Sequence, residues 1–373
     1  MQKSIFYAWL RCLDVLADGS AGAASIIRAG HSCACAPFLS SMKKSPGFTV
    51  HDIARLAGVS AMTVSRTLNH PDKVSPEALA KVREVVARTG FVPNGMARGL
   101  RSSRARLVAA VLPTLVGPVF QETVRALNQA LDERGYQLMI GQSGYDASRE
   151  DALLDAIIRK RPDGIVLTGI MHSPEGRRQL LASGIPVVET WDLTPTPIDM
   201  LVGFSHERIG QSVCHFLYRR GYRHPVLLSA DDERARRRLE GFQHMSRTLG
   251  QEPAPTHLVE APTTVGSGRA GLAAILSAHP QTDAVFCSSD MQALGVLIEA
   301  HARGLTVPGQ LGVMGLGDLE LAASLQPALT TVRIDGTRIG RTAARYIVER
   351  AEGRSVSEPI VDIGFEIIER ASA

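Results

Sequence analysis

From Leu107 to its end the chain keeps one rhythm: a short, solidly apolar run, then a helical stretch, then another apolar run. RLVAAVLP, YQLMIGQS, GIVLTG and IPVVET read as strands, with FQETVRALNQALDERG, SREDALLDAIIRKRP and SPEGRRQLLASG as helices between them. After IDMLVGFSH the alternation resumes with HPVLLSA, THLVEA, AVFCSS and LGVMGL. A strand that is apolar throughout must be covered on both faces, and parallel strands need a crossover that a helix supplies. The rhythm therefore predicts an α/β body over residues 107–373, built as two doubly wound parallel-sheet subdomains. In such sheets ligand-binding groups gather outside the carboxyl ends of the strands, so two halves predict a shared ligand cleft.

Charge is distributed unevenly along the 373 residues. The net formal charge is +4, yet residues 43–106 carry twelve Lys/Arg against four Asp/Glu, and residues 107–373 sum to −5. A basic head on a mildly acidic body points to a polyanion as the partner of the head. With 45% hydrophobic and 21% charged residues the chain reads as a soluble globular protein. No run approaches the ~20 uninterrupted apolar residues of a membrane span; no membrane partner is expected, and the cytoplasm is the expected compartment. Of the five cysteines, Cys12, Cys33 and Cys35 lie near the start, while Cys214 and Cys287 sit in apolar runs. That is no disulfide framework, and Cys33 and Cys35 lack the further ligands of a metal site. Neither metal nor cofactor is expected. Residues 1–47 read as an extension, disordered or not native. Its first 41 residues have no helix cap, no clean period and no secretory signal, and MKKSPGFTV makes Met42 the expected natural start.

Residues 48–92 read as three short helices. In TVHDIARLAGVSAMTVSRTLN, Ile53, Leu56 and Ala57 fall on one helical face, with Thr49 as N-cap and Gly58 as the turn. Ser60 caps a second helix whose Val64 and Leu68 face inward, and the pair forms a helix-turn-helix. A third helix follows in SPEALAKVREVVARTG, with Ser75 as cap, Pro76 at the first position and Gly90 at the exit; Leu79, Val82, Val85 and Val86 close the core. The outward positions of the second helix are short and uncharged apart from Arg66, as a helix lying in the major groove requires. Ala61 and Met62 suit thymine methyls or base edges, and Arg66 suits a two-pronged contact to guanine. His51, Thr63, Ser65 and Thr67 are placed as phosphate donors, which set register without reading sequence. Residues 93–106 form a short basic linker, FVPNGMARGLRSSRAR in context, too brief and glycine-rich to be helical alone. Folded on DNA, it could wedge Leu100 into a minor-groove base step.

The stretch from Thr49 to Arg101 resembles the DNA-binding head of the LacI-type bacterial repressors over its whole length, through both helices, the VS cap after Gly58 and the G-F-V-P-N…A…L hinge. The resemblance implies a homodimer on a near-palindromic double-stranded operator, with paired hinge helices opening the minor groove. It assigns base reading to Ala61, Met62 and Arg66, and hinge roles to Ala97 and Leu100. Ser60, Asn69 and Asn94 join the expected DNA contacts. Gly95 and Gly99 depart from a good hinge helix and raise the cost of folding it.

The body is similar to that family's periplasmic-binding-protein-like body, and ARRRLEGF and SSDMQALG are its most specific landmarks. On that resemblance Arg238 and Asp290 bind the effector's polar groups, Pro113 and Phe120 line the cleft after the first strand, and ETWDLTPTPIDMLVGFSH forms the floor. Arg238 could fork onto a carboxylate or a pair of hydroxyls, Asp290 could accept from hydroxyls, and Trp191 could offer a flat apolar face. The pattern G-Q-S-G-Y-D together with IPVVETWDLTPTPIDMLVGFSH and DAVFCSSD looks most like the branch that controls gluconate use. The expected function is thus a repressor of sugar-acid catabolism released by a sugar acid, with a neutral sugar or a purine as the alternative effector. GLGDLEL departs from the family's usual acidic pair and keeps Asp318 alone.

Two decoys point elsewhere. GSGRAG at 266–271 satisfies G-x-G-x-x-G, but it does not open a nucleotide-binding half. Ser205 and His206 are sequence neighbours without a nucleophile elbow. An α/β enzyme fused to a DNA-binding head would rest on fold analogy alone, so no catalysis is expected. No heptad tail follows VDIGFEIIERASA, which favours a dimer over a tetramer.

Overall fold

The computed structural model of the chain describes residues 48–91, 105–115, 118–169 and 173–373, and these fall into two compact units. In the first unit, α1 (Val50–Ala57), α2 (Ala61–Asn69) and α3 (Pro76–Thr89) form a three-helix cluster. A reciprocal capping box opens α1: Thr49 Oγ accepts from the Asp52 backbone N–H at 3.3 Å, and the Asp52 carboxylate accepts from the Thr49 N–H at 3.0 Å. Gly58, at φ 63°, takes the left-handed cap that turns the chain toward Ser60, the N-cap of α2. Ile53, Ala54, Ala57, Val64, Val82, Val85 and Phe91 make the core. Leu56 is not part of it and is 44% exposed. At about 100° per residue the buried arc runs through Ile53, Ala57 and Ala54, and Leu56 falls beyond its far rim.

The second unit holds two six-stranded sheets. The strands are β1 (Leu107–Leu112), β2 (Gln137–Gln142), β3 (Gly164–Thr168), β4 (Val187–Thr190), β5 (Met200–Gly203), β6 (Pro225–Ala230), β7 (Thr256–Val259), β8 (Ala284–Cys287), β9 (Gly312–Gly317), β10 (Thr330–Arg333), β11 (Ile360–Asp362) and β12 (Glu366–Ile368). One sheet has the order β11-β5-β4-β3-β1-β2 and the other β12-β10-β9-β8-β6-β7. All pairings are parallel except β10 with β12. Covering these sheets are α4 (Gln121–Asp132), α5 (Ala147–Ile158), α6 (Pro174–Ser183), α7 (His206–Arg219), α8 (Glu233–Thr248), α9 (Val265–Ala278), α10 (Asp290–Ala302), the short α11 (Glu320–Ser324) and α12 (Gly336–Ala351).

Each strand named from the sequence is present, but the halves are not consecutive pieces of chain. The path crosses from the first sheet to the second after β5, returns after β10 so that α12 packs on α4 and on β3, β4 and β5, and crosses again between β11 and β12. Close packing fixes the return. A Cβ on Gly340 would overlap the α4 backbone at Thr123 and Leu127, and one on Gly164 would overlap the side chain of Ile347. Two of the crossings meet where the Ile363 N–H, just after β11, donates to the Gly203 carbonyl at the end of β5 at 2.8 Å.

One glycine of GSGRAG, Gly268, serves the same kind of contact, while Gly271 makes room for the Leu228 side chain. A Cβ on Gly268 would overlap the Gln292 carbonyl, and one on Gly295 the Val265 carbonyl, so α9 and α10 lie backbone to backbone. Their backbone is spent on packing, not on a phosphate.

Candidate functional site

In the three-helix unit, Met62 and Arg66 are exposed on α2 one helical turn apart, Met62 at 49%. Ser65 lies beside them, half-buried, and His51 is exposed in the first turn of α1. Ser60 Oγ accepts from the Thr63 N–H at 3.1 Å and bonds the Thr63 hydroxyl at 2.9 Å, so both hydroxyls work first as the cap of α2. Ala61 is half-buried against the core. Thr67 is 7% exposed and turned inward, which removes it from the phosphate donors. The side chain of Asn69, and Asn94, Ala97 and Leu100 altogether, lie outside the described residues.

In the larger unit the cleft is lined from the carboxyl ends of both sheets. Thr114 follows β1, Tyr145 follows β2, Trp191 follows β4, Asp232 follows β6, Thr263 follows β7, and Ser288 and Ser289 follow β8. Phe120, Trp191 and Arg238, all named from the sequence, line it together. Pro113 is buried one residue before Thr114 and is not among the lining residues.

Trp191 lines the cleft but is only 4% exposed. Its ring meets Phe120 edge-on at 4.9 Å and Phe204 at 5.6 Å, and Phe204 meets His206 at 4.9 Å. Its backbone sits at φ 68°, a left-handed conformation that costs a non-glycine residue on the order of 1 kcal/mol. Two bonds hold it there: the indole N–H donates to Thr123 Oγ1 at 3.2 Å, and its carbonyl accepts from His206 Nε2 at 2.9 Å.

That second bond fixes the tautomer of His206. With Nε2 donating, Nδ1 is bare and accepts from the Arg238 guanidinium at 3.0 Å. Burial and the positive charges of Arg238, Arg234 and Arg237 hold the ring well below the ordinary histidine range, so it is neutral. Arg238 is itself buried, which pushes its guanidinium down to about 10. One turn earlier, Arg234 lies over the Phe120 ring at 5.5 Å and also lines the cleft. Close packing of α7 on α8 brings these groups together: a Cβ on Gly210 of α7 would overlap the Arg238 carbonyl, and one on Gly241 of α8 would overlap the Glu207 carbonyl.

Asp290 stands elsewhere. It is fully buried at the first turn of α10, accepting from the Thr331 hydroxyl at 2.5 Å and the Leu319 N–H at 2.7 Å, and is not among the cleft-lining residues. Burial is the main cause that pushes its carboxyl up to about 6, and the neighbouring Asp318 adds to it. Asp318 is held between Arg370 and Arg333, each at 2.6 Å. Asp192, passed over in the sequence, is buried behind Trp191; one oxygen accepts from the Leu193 N–H at 2.8 Å and from Arg237 at 3.2 Å.

The cleft's unforeseen members had a signal. Arg234 precedes Arg238 by four residues in ERARRRLEGF, the spacing that puts both on one helix face. His206 was visible only as half of a false catalytic pair; Ser205 Oγ accepts from the Arg208 N–H at 3.1 Å and caps α7. Among the described residues no group of three His, Cys, Asp or Glu could hold a metal ion, and no helix is long and apolar enough to cross a membrane. Cys214 and Cys287 are buried thiols that burial pushes up, Cys214 to about 12.

Comparison with known proteins covers both units. Residues 49–94 match the bacterial regulatory proteins of the lacI family, and residues 214–373 match the periplasmic binding protein-like domain. The HTH-type transcriptional regulator GntR of Pseudomonas aeruginosa is 35% identical over 326 residues, covering 87% of this chain and 95% of that protein. A LacI-family transcriptional regulator from Silicibacter pomeroyi superposes with a TM-score of 0.82 at 33% identity, over 87% of this chain and 99% of its own. The transcription regulator GntR from Chromobacterium violaceum gives 0.69 at 35% identity, over 71% and 98%.

Proposed function

The chain belongs to the LacI family of bacterial regulatory proteins and is a DNA-binding transcriptional regulator; from that premise we propose that it represses genes of gluconate-type sugar-acid catabolism and is released from its operator by a sugar acid. Two copies bind a near-palindromic site in the cytoplasm. Met62 and Arg66 meet base edges, Ala61 lets the helix backbone approach, and His51, Ser60, Thr63, Ser65, Asn69 and Asn94 contribute to phosphate register. Ala97 and Leu100 act at the hinge.

The observation that carries the effector class is the pair Arg234 and Arg238 on one face of α8, both lining the cleft, with Asp232 the sole carboxylate beside them among the described lining residues. Burial costs Arg238 solvation, and a carboxylate restores what a neutral hydroxyl does not. Thr114 and Thr263 line the same cleft, Thr263 bonding the Ser289 hydroxyl at 2.7 Å, and Asp232, whose other oxygen caps α8, adds an acceptor for a polyol chain. Trp191, only 4% exposed and edge-on to Phe120 and Phe204, offers a purine little ring surface. Release follows if the effector binds the DNA-incompetent arrangement of the two halves more tightly than the other.

The test is a gel shift of the full chain on its own promoter region over a salt series, with D-gluconate, D-glucose or a purine added. We expect binding to weaken steeply with salt, and gluconate alone to release the DNA. Release by glucose or the purine, with gluconate inert, overturns the effector. Light scattering of the free protein checks the dimer.

A further inference from the structure

Arg238 and Arg234 stand four residues apart on α8, in the second half of the body, and each rests on an aromatic group anchored to the first half. Phe120, Trp191, Phe204 and His206 form a ladder of edge-on contacts at 4.9, 5.6 and 4.9 Å. Phe120 precedes α4, Trp191 follows β4 and Phe204 follows β5, all first-half elements. Arg234 covers the Phe120 end at 5.5 Å, and Arg238 bonds the His206 end at 3.0 Å. His206 is the first residue of α7, where the chain has just crossed between the halves.

We propose that His206 is a positioning residue: it aims the Arg238 guanidinium into the cleft and ties it, through the Trp191 carbonyl, to the opposite half of the body. The imidazole is suited to this because it donates at Nε2 and accepts at Nδ1 at once, in one rigid plane. The guanidinium has five N–H donors, so one bond to Nδ1 orients the fork without using it up. Neutrality of the buried ring is a condition of the device, since a protonated Nδ1 would face the guanidinium donor to donor. Effector pulling on Arg238 is thereby felt at Trp191, whose carbonyl is the far end of the relay. The proposal rests on the cleft being the effector site.

Two variants of the full chain test it. His206→Phe keeps a ring against Phe204 and removes both hydrogen bonds; His206→Gln keeps one donor and one acceptor on a planar amide. By calorimetry with sodium D-gluconate, we expect the Phe variant to bind about tenfold more weakly or worse, and the Gln variant to recover to within about threefold of the parent. A folded Phe variant that binds like the parent overturns the proposal. A second readout needs no effector: nitrogen-15 spectra of the parent should show His206 protonated at Nε2 with Nδ1 bare. They should also show a sharp, exchange-protected Arg238 Nε–H signal, identified by its loss in Arg238→Ala, that persists in the Gln variant and broadens in the Phe variant. A parent ring protonated at Nδ1, or an Arg238 signal unchanged in the Phe variant, also overturns it. If the Phe variant fails to fold, the parent and Gln spectra decide. If the parent ignores gluconate while the spectra behave as described, it is the sugar-acid effector that fails and not the role of His206.

Discussion

Asp290 is the residue on which family resemblance and geometry part, and replacing it with asparagine separates them. The carboxylate is fully buried, accepts from Thr331 Oγ1 and the Leu319 N–H, and packs over β9 so closely that a Cβ on Gly315 would overlap it. Its pKa is raised from 3.8 to about 6, mainly by burial. A carboxyl whose folded pKa lies above its unfolded value stabilises the fold most when protonated. Its stabilisation is complete below pH 3.8 and is lost as pH rises through about 6. The full loss is roughly 3 kcal/mol, of which about half is already incurred near pH 5. Asparagine has nearly the same shape and never carries the charge: its oxygen can accept from Leu319, and its amide can donate to Thr331, whose hydroxyl turns to accept. In urea titrations of both proteins, we therefore expect the stability gap to shift in favour of Asp290→Asn by about 1–1.5 kcal/mol between pH 5 and pH 7.5. Gluconate affinity should be unchanged, because the group does not line the cleft. A gap that ignores pH, or an effector response lost with the substitution, would refute a purely architectural Asp290.

Three further outcomes follow from the same geometry. Arg238→Ala should keep operator binding and abolish gluconate-induced release in gel shifts; an unchanged response would remove Arg238 from the site. Arg66→Ala should cut the ratio of operator to non-specific affinity by about 1–3 kcal/mol while leaving non-specific binding much less affected, and equal losses in both would argue against base reading. Gly241→Ala forces a methyl against the Glu207 carbonyl; we expect about 1–3 kcal/mol of destabilisation by chemical denaturation and weaker gluconate binding, although Gly241 is not among the cleft-lining residues. Wild-type affinity in that variant would show that the spacing of α7 and α8 does not set the Arg238–His206 bond.

The helix caps and strands were legible because their causes are local. Thr49, Ser60 and Ser75 cap their helices through contacts within three residues, and an apolar run such as LVAAVL announces its own burial. Leu56 and Thr67 were misread where a helix is too short for its periodicity to fix which side of the buried arc a residue takes. The cleft was legible only in part, since its members meet through contacts far apart in sequence. His206 and Arg238 are 32 residues apart, Trp191 and Thr123 are 68.

Glycine shows the difference most sharply. GSGRAG carries the spelling of a phosphate loop, yet Gly268 lets α9 lie against α10, where no ligand could enter. Gly210 and Gly241 fit no phosphate-loop spelling, sitting 31 positions apart in separate helices with only Gly241 inside the ARRRLEGF landmark, and they bring Arg238 within reach of His206. In both cases the missing Cβ does the same physical thing, allowing two backbones to touch. What differs is the side chain presented beside the contact: the cationic Arg238 in one case, the uncharged Ser289 and Met291 in the other. A ligand site in this body is therefore specified by which polar side chain flanks a close helix contact, and a glycine pattern alone does not carry that information.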